Sequence, residues 1–117
     1  MTNEQVARLT EEYVLPTYGR WPIAAVKGEG LYLIDADGKR YLDFVAGIPV
    51  TSQGHCHPKV VAAIKKQAEE LIHCSNLFHI ENQARLAEKL CLASGLKKAF
   101  FCNSGAEANE GAIKLAR

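Results

Sequence analysis

The chain has 117 residues and a net charge of +1, with 48% hydrophobic and 23% charged residues, which fits one small globular domain at most. Because the two signs of charge are interspersed, nothing in the charge favours nucleic acid or a membrane surface as a partner. No basic start is followed by an apolar core, and no apolar run approaches roughly 18 residues, so we expect neither a secretory signal nor a membrane span.

The cysteines are widely spaced and form no CxxC pair. Together with the missing export signal, this spacing predicts reduced thiols in a cytoplasmic protein rather than disulfides. The four positions are Cys56, Cys74, Cys91 and Cys102.

The first half of the chain predicts one helix and one β-hairpin. Val6, Leu9 and Tyr13 fall at helical spacing, which indicates a short amphipathic helix over residues 3–13. Residues 31–44 read as two strands around an Asp-Gly turn, which is a strong hairpin signal. Residues 16–24, which contain Pro16, Gly19 and Pro22, read as irregular.

The second half predicts helices over residues 58–73 and 82–94, with their apolar faces buried, and a buried strand over 98–102. Helix, strand, turn and helix in this order are typical of an α/β layer with a parallel sheet. The hairpin belongs to a different architecture, so we expect a domain boundary near residue 55. The predicted division is residues 1–55 and 56–117.

The turn at residues 103–107 is the best candidate for a binding site. Ser104 followed by Glu107 fits a capping box, in which the carboxylate turns back to the Ser104 N–H. The N–H groups of Gly105 and Ala106 then lack helical partners, and with the helix dipole they favour an anion such as phosphate. An ordinary capped helix is the alternative interpretation of the same residues.

Histidine and cysteine suggest two further chemistries. His55, Cys56 and His57, with His73, Cys74 and His79 downstream, are residue types that bind zinc, but their spacing matches no standard zinc motif. We therefore expect no metal, with His57 capping the helix that begins at Pro58. Cys102 ends an apolar strand, so we expect a buried thiol rather than a catalytic one.

An ordered set of motifs resembles the class III (subgroup II) aminotransferases, which depend on pyridoxal phosphate (PLP). Residues 100–117 resemble the phosphate-loop motif of that family. Segments 41–44, 54–58, 76–78 and 83–87 match in order and spacing. The acetylornithine branch is most similar, while ornithine, succinylornithine and 4-aminobutyrate aminotransferases and glutamate-semialdehyde aminomutases share the scaffold.

The resemblance implies an α/β fold of PLP-dependent transferase type I, of which this chain would supply part of the small domain and the start of the large one. It implies that Gly105 and Ala106 hold the PLP phosphate with Ser104 beside them, and that Tyr18 approaches the substrate. It also implies amino-acid and 2-oxo-acid substrates and a homodimeric enzyme.

The same resemblance places the Schiff-base lysine and the main substrate arginine of the family beyond Arg117. The chain ends within a helical pattern that has no stop signal, so we expect a truncated piece with no catalytic residue and no activity alone. A stand-alone dimerisation or binding module, using the helix at 58–73, is the alternative function.

Overall fold

The computed structural model describes residues 1–117. The chain forms two compact units, Met1–Ile72 and His73–Arg117. None of its helices is long and apolar enough to cross a membrane. The expected domain division at residue 55 concerns the whole protein and stays a prediction.

The N-terminal unit begins with helix α1, Asn3–Tyr13, as its apolar spacing predicts. Thr2 caps it in a reciprocal arrangement with Gln5, because the Thr2 hydroxyl accepts from the Gln5 N–H and the Gln5 side chain accepts from the Thr2 N–H. The helix stops at Val14, whose backbone is extended, two residues before Pro16.

Three antiparallel strands follow in the order β1-β2-β3: Ala25–Glu29, Tyr32–Asp35 and Arg40–Leu42. The hairpin of β2 and β3 confirms the Asp-Gly prediction. Strand β1 was not predicted; it pairs with β2 with an irregularity between Ala25 and Lys27. Helix α2, Pro58–Glu70, ends three residues earlier than predicted, because Leu71 is extended and its carbonyl accepts from the Gln67 side chain.

The C-terminal unit contains helices α3, Glu81–Ser94, and α4, Gly105–Ala116. Gly95 ends α3 with a φ of 74°, a left-handed conformation that glycine adopts without steric cost. The predicted strand at residues 98–102 is wrong: this segment joins no ladder, because the chain supplies no neighbouring strand for it.

No hydrophobic residue of the chain is buried, and Asp35, at 2% exposure, is the one buried residue. The apolar faces of α2 and α3 were expected to be covered, yet Ile64, Leu86 and Leu90 are exposed. Amphipathic patterning shows which face of a helix is apolar, but burial requires a partner surface. These 117 residues therefore form helices and strands without a core of their own.

Candidate functional site

The turn before α4 has the local structure that its sequence predicts. Ser104 is the N-cap residue, with φ −152° and ψ 160°, and its hydroxyl oxygen accepts a hydrogen bond from the Glu107 N–H at 3.2 Å. The first regular hydrogen bond of the helix runs from Ala108 N–H to the Ser104 carbonyl. The helix therefore begins at Gly105 with its cap in place.

The carboxylate of Glu107 takes a different partner from the one expected. Its Oε2 accepts from the Asn103 N–H at 2.6 Å, one residue before the Ser104 N–H that a capping box would use. The prediction was wrong by one residue, because Ser104 is extended and the carboxylate reaches past it. Glu107 is thus bonded to both residues that precede the helix.

The N–H groups of Gly105 and Ala106 make no hydrogen bond within the chain. Gly105 also borders open space, since a Cβ added there would meet no atom within 4 Å. Two unpaired amides at the positive end of a 12-residue helix, beside an unobstructed α-carbon, allow an anion to approach the backbone closely.

The segment before the turn packs against α4 through one aromatic ring. A Cβ on Gly111 would lie 3.2 Å from Cε1 of Phe100, so the absence of a side chain there lets the ring lie on the helix. Cys102 is exposed, and its thiol donates to the Ser104 carbonyl at 3.4 Å. The expectation of a buried Cys102 was therefore wrong, because it assumed that residues 98–102 form a strand inside a sheet.

Tyr18 lies in the N-terminal unit, in the irregular segment after α1, and is 77% exposed. It lines a cavity of about 960 Å³ together with residues of α1, most of the segment 14–25, Leu33 and residues 41–45. This open space beside a phenol hydroxyl is compatible with contact to a small polar molecule.

Asp35 is a polar centre of the N-terminal unit that sequence reasoning missed. Its side chain is 2% exposed and accepts from Asn3 Nδ2 at 2.9 Å, from the Tyr41 hydroxyl at 2.8 Å and from the N–H groups of Asp37 and Lys39. The bond from Asn3, followed by those from Tyr41, Lys39 and Asp37, holds the pKa of Asp35 below its ordinary 3.8, although burial opposes this. The same carboxylate raises the pKa of Tyr41 above 10.0.

His55 bonds to a carboxylate rather than belonging to a metal cluster. Its Nε2 lies 2.7 Å from Asp43 Oδ2, and both side chains are largely buried, at 16% and 5% exposure. No group of three or more histidine, cysteine, aspartate or glutamate side chains is arranged to hold a metal. The Asp-x(11)-His spacing carries no sequence signal, because the contact depends on the path of the loop between the two residues.

His57 occupies the N-cap position of α2, but its side chain makes no capping bond. Its Nδ1 is buried without a hydrogen-bond partner. The prediction that His57 caps the helix is therefore right for the position and wrong for the side chain. Pro58, at the first helical position, has no N–H group, so one fewer backbone donor at this helix end requires a hydrogen-bond acceptor.

A family model described as "Aminotransferase class-III" matches residues 13–117. Because this match covers most of the sequence, the chain belongs to the class-III aminotransferase family. Membership confirms the resemblance that rested on the motifs at residues 41–44, 54–58, 76–78, 83–87 and 100–117, and with it the α/β fold class of this family.

The chain is similar to an acetylornithine aminotransferase of Methanocaldococcus jannaschii, with 60% identity over all 117 residues, which are 29% of that relative. Among solved structures it resembles acetylornithine aminotransferase from Elizabethkingia anophelis (TM-score 0.91, 35% identity, 99% of this chain and 30% of that one). It also resembles taurine:2-oxoglutarate aminotransferase from Bifidobacterium kashiwanohense, solved with PLP and glutamate (TM-score 0.88, 36% identity, 100% and 28%). The chain thus spans less than a third of the length of these relatives.

Proposed function

We propose that this chain is the N-terminal part of a PLP-dependent aminotransferase that moves the terminal amino group of N-acetylornithine to 2-oxoglutarate, a step of arginine biosynthesis. The two unpaired amides at the start of α4, in a chain of this family, carry the proposal. The 60% identity with an acetylornithine aminotransferase supports the substrate. Ornithine, succinylornithine and 4-aminobutyrate remain alternative substrates.

The turn fits the phosphate group of PLP. In this proposal the N–H groups of Gly105 and Ala106 donate to phosphate oxygens, and the Ser104 hydroxyl, which already accepts from Glu107 N–H, can donate its own hydrogen to the same anion. The open space at Gly105 accommodates the phosphate against the backbone. When bound, PLP supplies an electron sink that stabilises negative charge on the reacting carbon of the substrate.

Tyr18 is proposed to contact the substrate, which is supported by its exposed hydroxyl and by the cavity that it lines. None of the residues of this chain is assigned to proton transfer or to the covalent attachment of PLP. We therefore expect residues 1–117 alone to have no aminotransferase activity, since they cover less than a third of the length of the relatives.

The proposal also includes a homodimeric, cytoplasmic enzyme that acts on amino acids and 2-oxo acids. A stand-alone binding module is less well supported, because a small domain must bury apolar surface to fold and no hydrophobic residue is buried here.

The test is to express the complete polypeptide to which these residues belong and to measure glutamate formed from 2-oxoglutarate with N-acetylornithine, ornithine, succinylornithine and 4-aminobutyrate as donors. The expected result is the highest kcat/KM with N-acetylornithine and a requirement for PLP. Preference for another donor would reject the substrate and retain the reaction class. Activity unchanged after PLP removal would reject the whole proposal.

A further inference from the structure

Glu107 lies in the first turn of α4, where an acidic side chain and a bound phosphate have conflicting requirements. A carboxylate near a helix N-terminus interacts favourably with the dipole and can compete for the same free N–H groups. It would also repel a phosphate dianion. An anion can therefore bind at Gly105 only if the carboxylate of Glu107, two residues later, is kept away from the free N–H groups.

The hydrogen bonds of Glu107 supply that reason. Its carboxylate is held by the Asn103 N–H at 2.6 Å, while its own N–H donates to the Ser104 hydroxyl oxygen at 3.2 Å. The carboxylate therefore uses the amide before the cap and leaves those of Gly105 and Ala106 unpaired. Both bonds together fix Asn103 and Ser104 relative to the first turn of the helix.

We propose that Glu107 is a positioning residue for the phosphate-binding turn: its carboxylate, bonded to Asn103 N–H, holds Ser104, Gly105 and Ala106 in the conformation that receives the anion. The inference rests on the proposed PLP site and adds a residue to it. Glu107 itself does not touch the phosphate.

Two substitutions separate this role from simple charge repulsion. Glu107→Gln keeps an oxygen that can accept from Asn103 N–H and removes the negative charge, whereas Glu107→Ala removes both. Positioning predicts that Gln preserves the turn and that Ala loosens it. Repulsion predicts that both substitutions strengthen phosphate binding.

Glu110 offers a matched control on the same helix. Its carboxylate pairs with Lys114 at 3.3 Å, is 73% exposed and takes no part in the turn. Glu110→Gln and Glu110→Ala therefore change the helix charge by the same amount without touching Asn103 or Ser104. Neither control variant is expected to alter the turn.

The experiment uses the complete polypeptide without PLP and has two readouts. Hydrogen exchange of the peptide covering residues 101–106 reports the turn, and titration with pyridoxamine 5′-phosphate, which has no aldehyde to react with exposed lysines, reports phosphate binding through its ³¹P signal. We expect Glu107→Ala to accelerate exchange and to weaken binding by about tenfold, because the hydrogen bond that holds Asn103 N–H and orders the turn is lost. Glu107→Gln should stay within about threefold of the unsubstituted protein in both readouts.

Equal behaviour of Glu107→Ala, Glu107→Gln and the Glu110 variants, or tighter binding by both Glu107 variants, would overturn the positioning role. Absence of pyridoxamine 5′-phosphate binding by the unsubstituted protein would instead reject the PLP site. In that case the exchange rates alone still decide whether Glu107 holds the turn, so the two failures are distinguishable.

Discussion

His55 Nε2 and Asp43 Oδ2 lie 2.7 Å apart and join the two ends of the loop between β3 and α2. The second oxygen of Asp43 accepts from the N–H groups of Val45 and Ala46, so the carboxylate also shapes the start of the loop. The backbone of His55 pairs with Gly30 in a single antiparallel bridge. The loop is therefore closed at its base by side-chain and backbone contacts.

The first prediction concerns how the contacts of this loop respond to low pH. The bond from His55, together with the Ala46 and Val45 amides, lowers the pKa of Asp43 below 3.8. A group whose pKa is lower in the folded state contributes stability above the unfolded pKa and loses it as the pH falls through the folded one. We expect the loop contacts to persist down to pH 3.8 and to fail below it, which NMR titration of the Asp43 carboxyl carbon would show. A midpoint above 3.8 would contradict this prediction.

The second prediction concerns Gly28, whose α-carbon faces the His55 ring. A Cβ at this position would lie 2.6 Å from Cγ of His55, a distance at which the ring must move. Gly28→Ala should therefore lower the free energy of unfolding of the complete protein by about 1–3 kcal/mol. Gly19→Ala is the control, because a Cβ there meets nothing within 4 Å. Denaturant titration checks both, and equal stabilities would show that the ring contact is unimportant.

The third prediction separates cofactor binding from stability. Gly105→Val fills the open space at the turn, so we expect PLP affinity to fall by about tenfold or more while folding is little changed. Gly95→Ala should do the reverse, destabilising the protein by about 1 kcal/mol because its φ is 74°, without affecting PLP. PLP titration and thermal denaturation of both variants provide the comparison. Loss of affinity in Gly95→Ala alone would contradict the assignment of the turn.

The fourth prediction concerns Tyr18. If its hydroxyl contacts the substrate, Tyr18→Phe should raise KM roughly tenfold, through loss of one hydrogen bond to a charged group, while PLP affinity stays unchanged. Tyr13→Phe is the control, since Tyr13 is also exposed, at 74%, and does not line the cavity. Steady-state kinetics on the complete enzyme decide the matter, and an unchanged KM would remove Tyr18 from the site.

The fifth prediction concerns residues 1–117 expressed alone. With no hydrophobic residue buried, we expect a broad thermal transition without a cooperative heat peak, and binding of the dye ANS. Calorimetry and dye fluorescence measure these properties. A sharp transition that shifts with protein concentration would favour the alternative of a self-associating module.

Features that depend on neighbours in the sequence were predictable. The Asp-Gly hairpin and the Ser104 cap each depend on residues within a few positions. The PLP interpretation of the turn required the family resemblance as well, because an isolated capped helix looks the same.

Features that depend on distant partners were not predictable. Asp35 accepts from Asn3, 32 positions away, and Asp43 meets His55 only through the loop path. Strand β1 was missed because its pairing with β2, rather than its composition, defines it. The strand at residues 98–102 was wrong for the converse reason, since apolar composition does not provide a hydrogen-bonding neighbour.

The anchoring of α1 at Asn3 favours one orientation of the helix over others. Asn3 Nδ2 donates to Asp35 at 2.9 Å, while Oδ1 accepts from the Ala24 N–H at 2.9 Å. The amide nitrogen thus has an acceptor and the amide oxygen has a donor, so the two atoms cannot exchange places. An apolar contact would tolerate rotation or sliding of the helix, whereas this amide fits in one direction only. The direction of these two hydrogen bonds, rather than the area of an apolar contact, therefore fixes the position of α1 relative to the sheet.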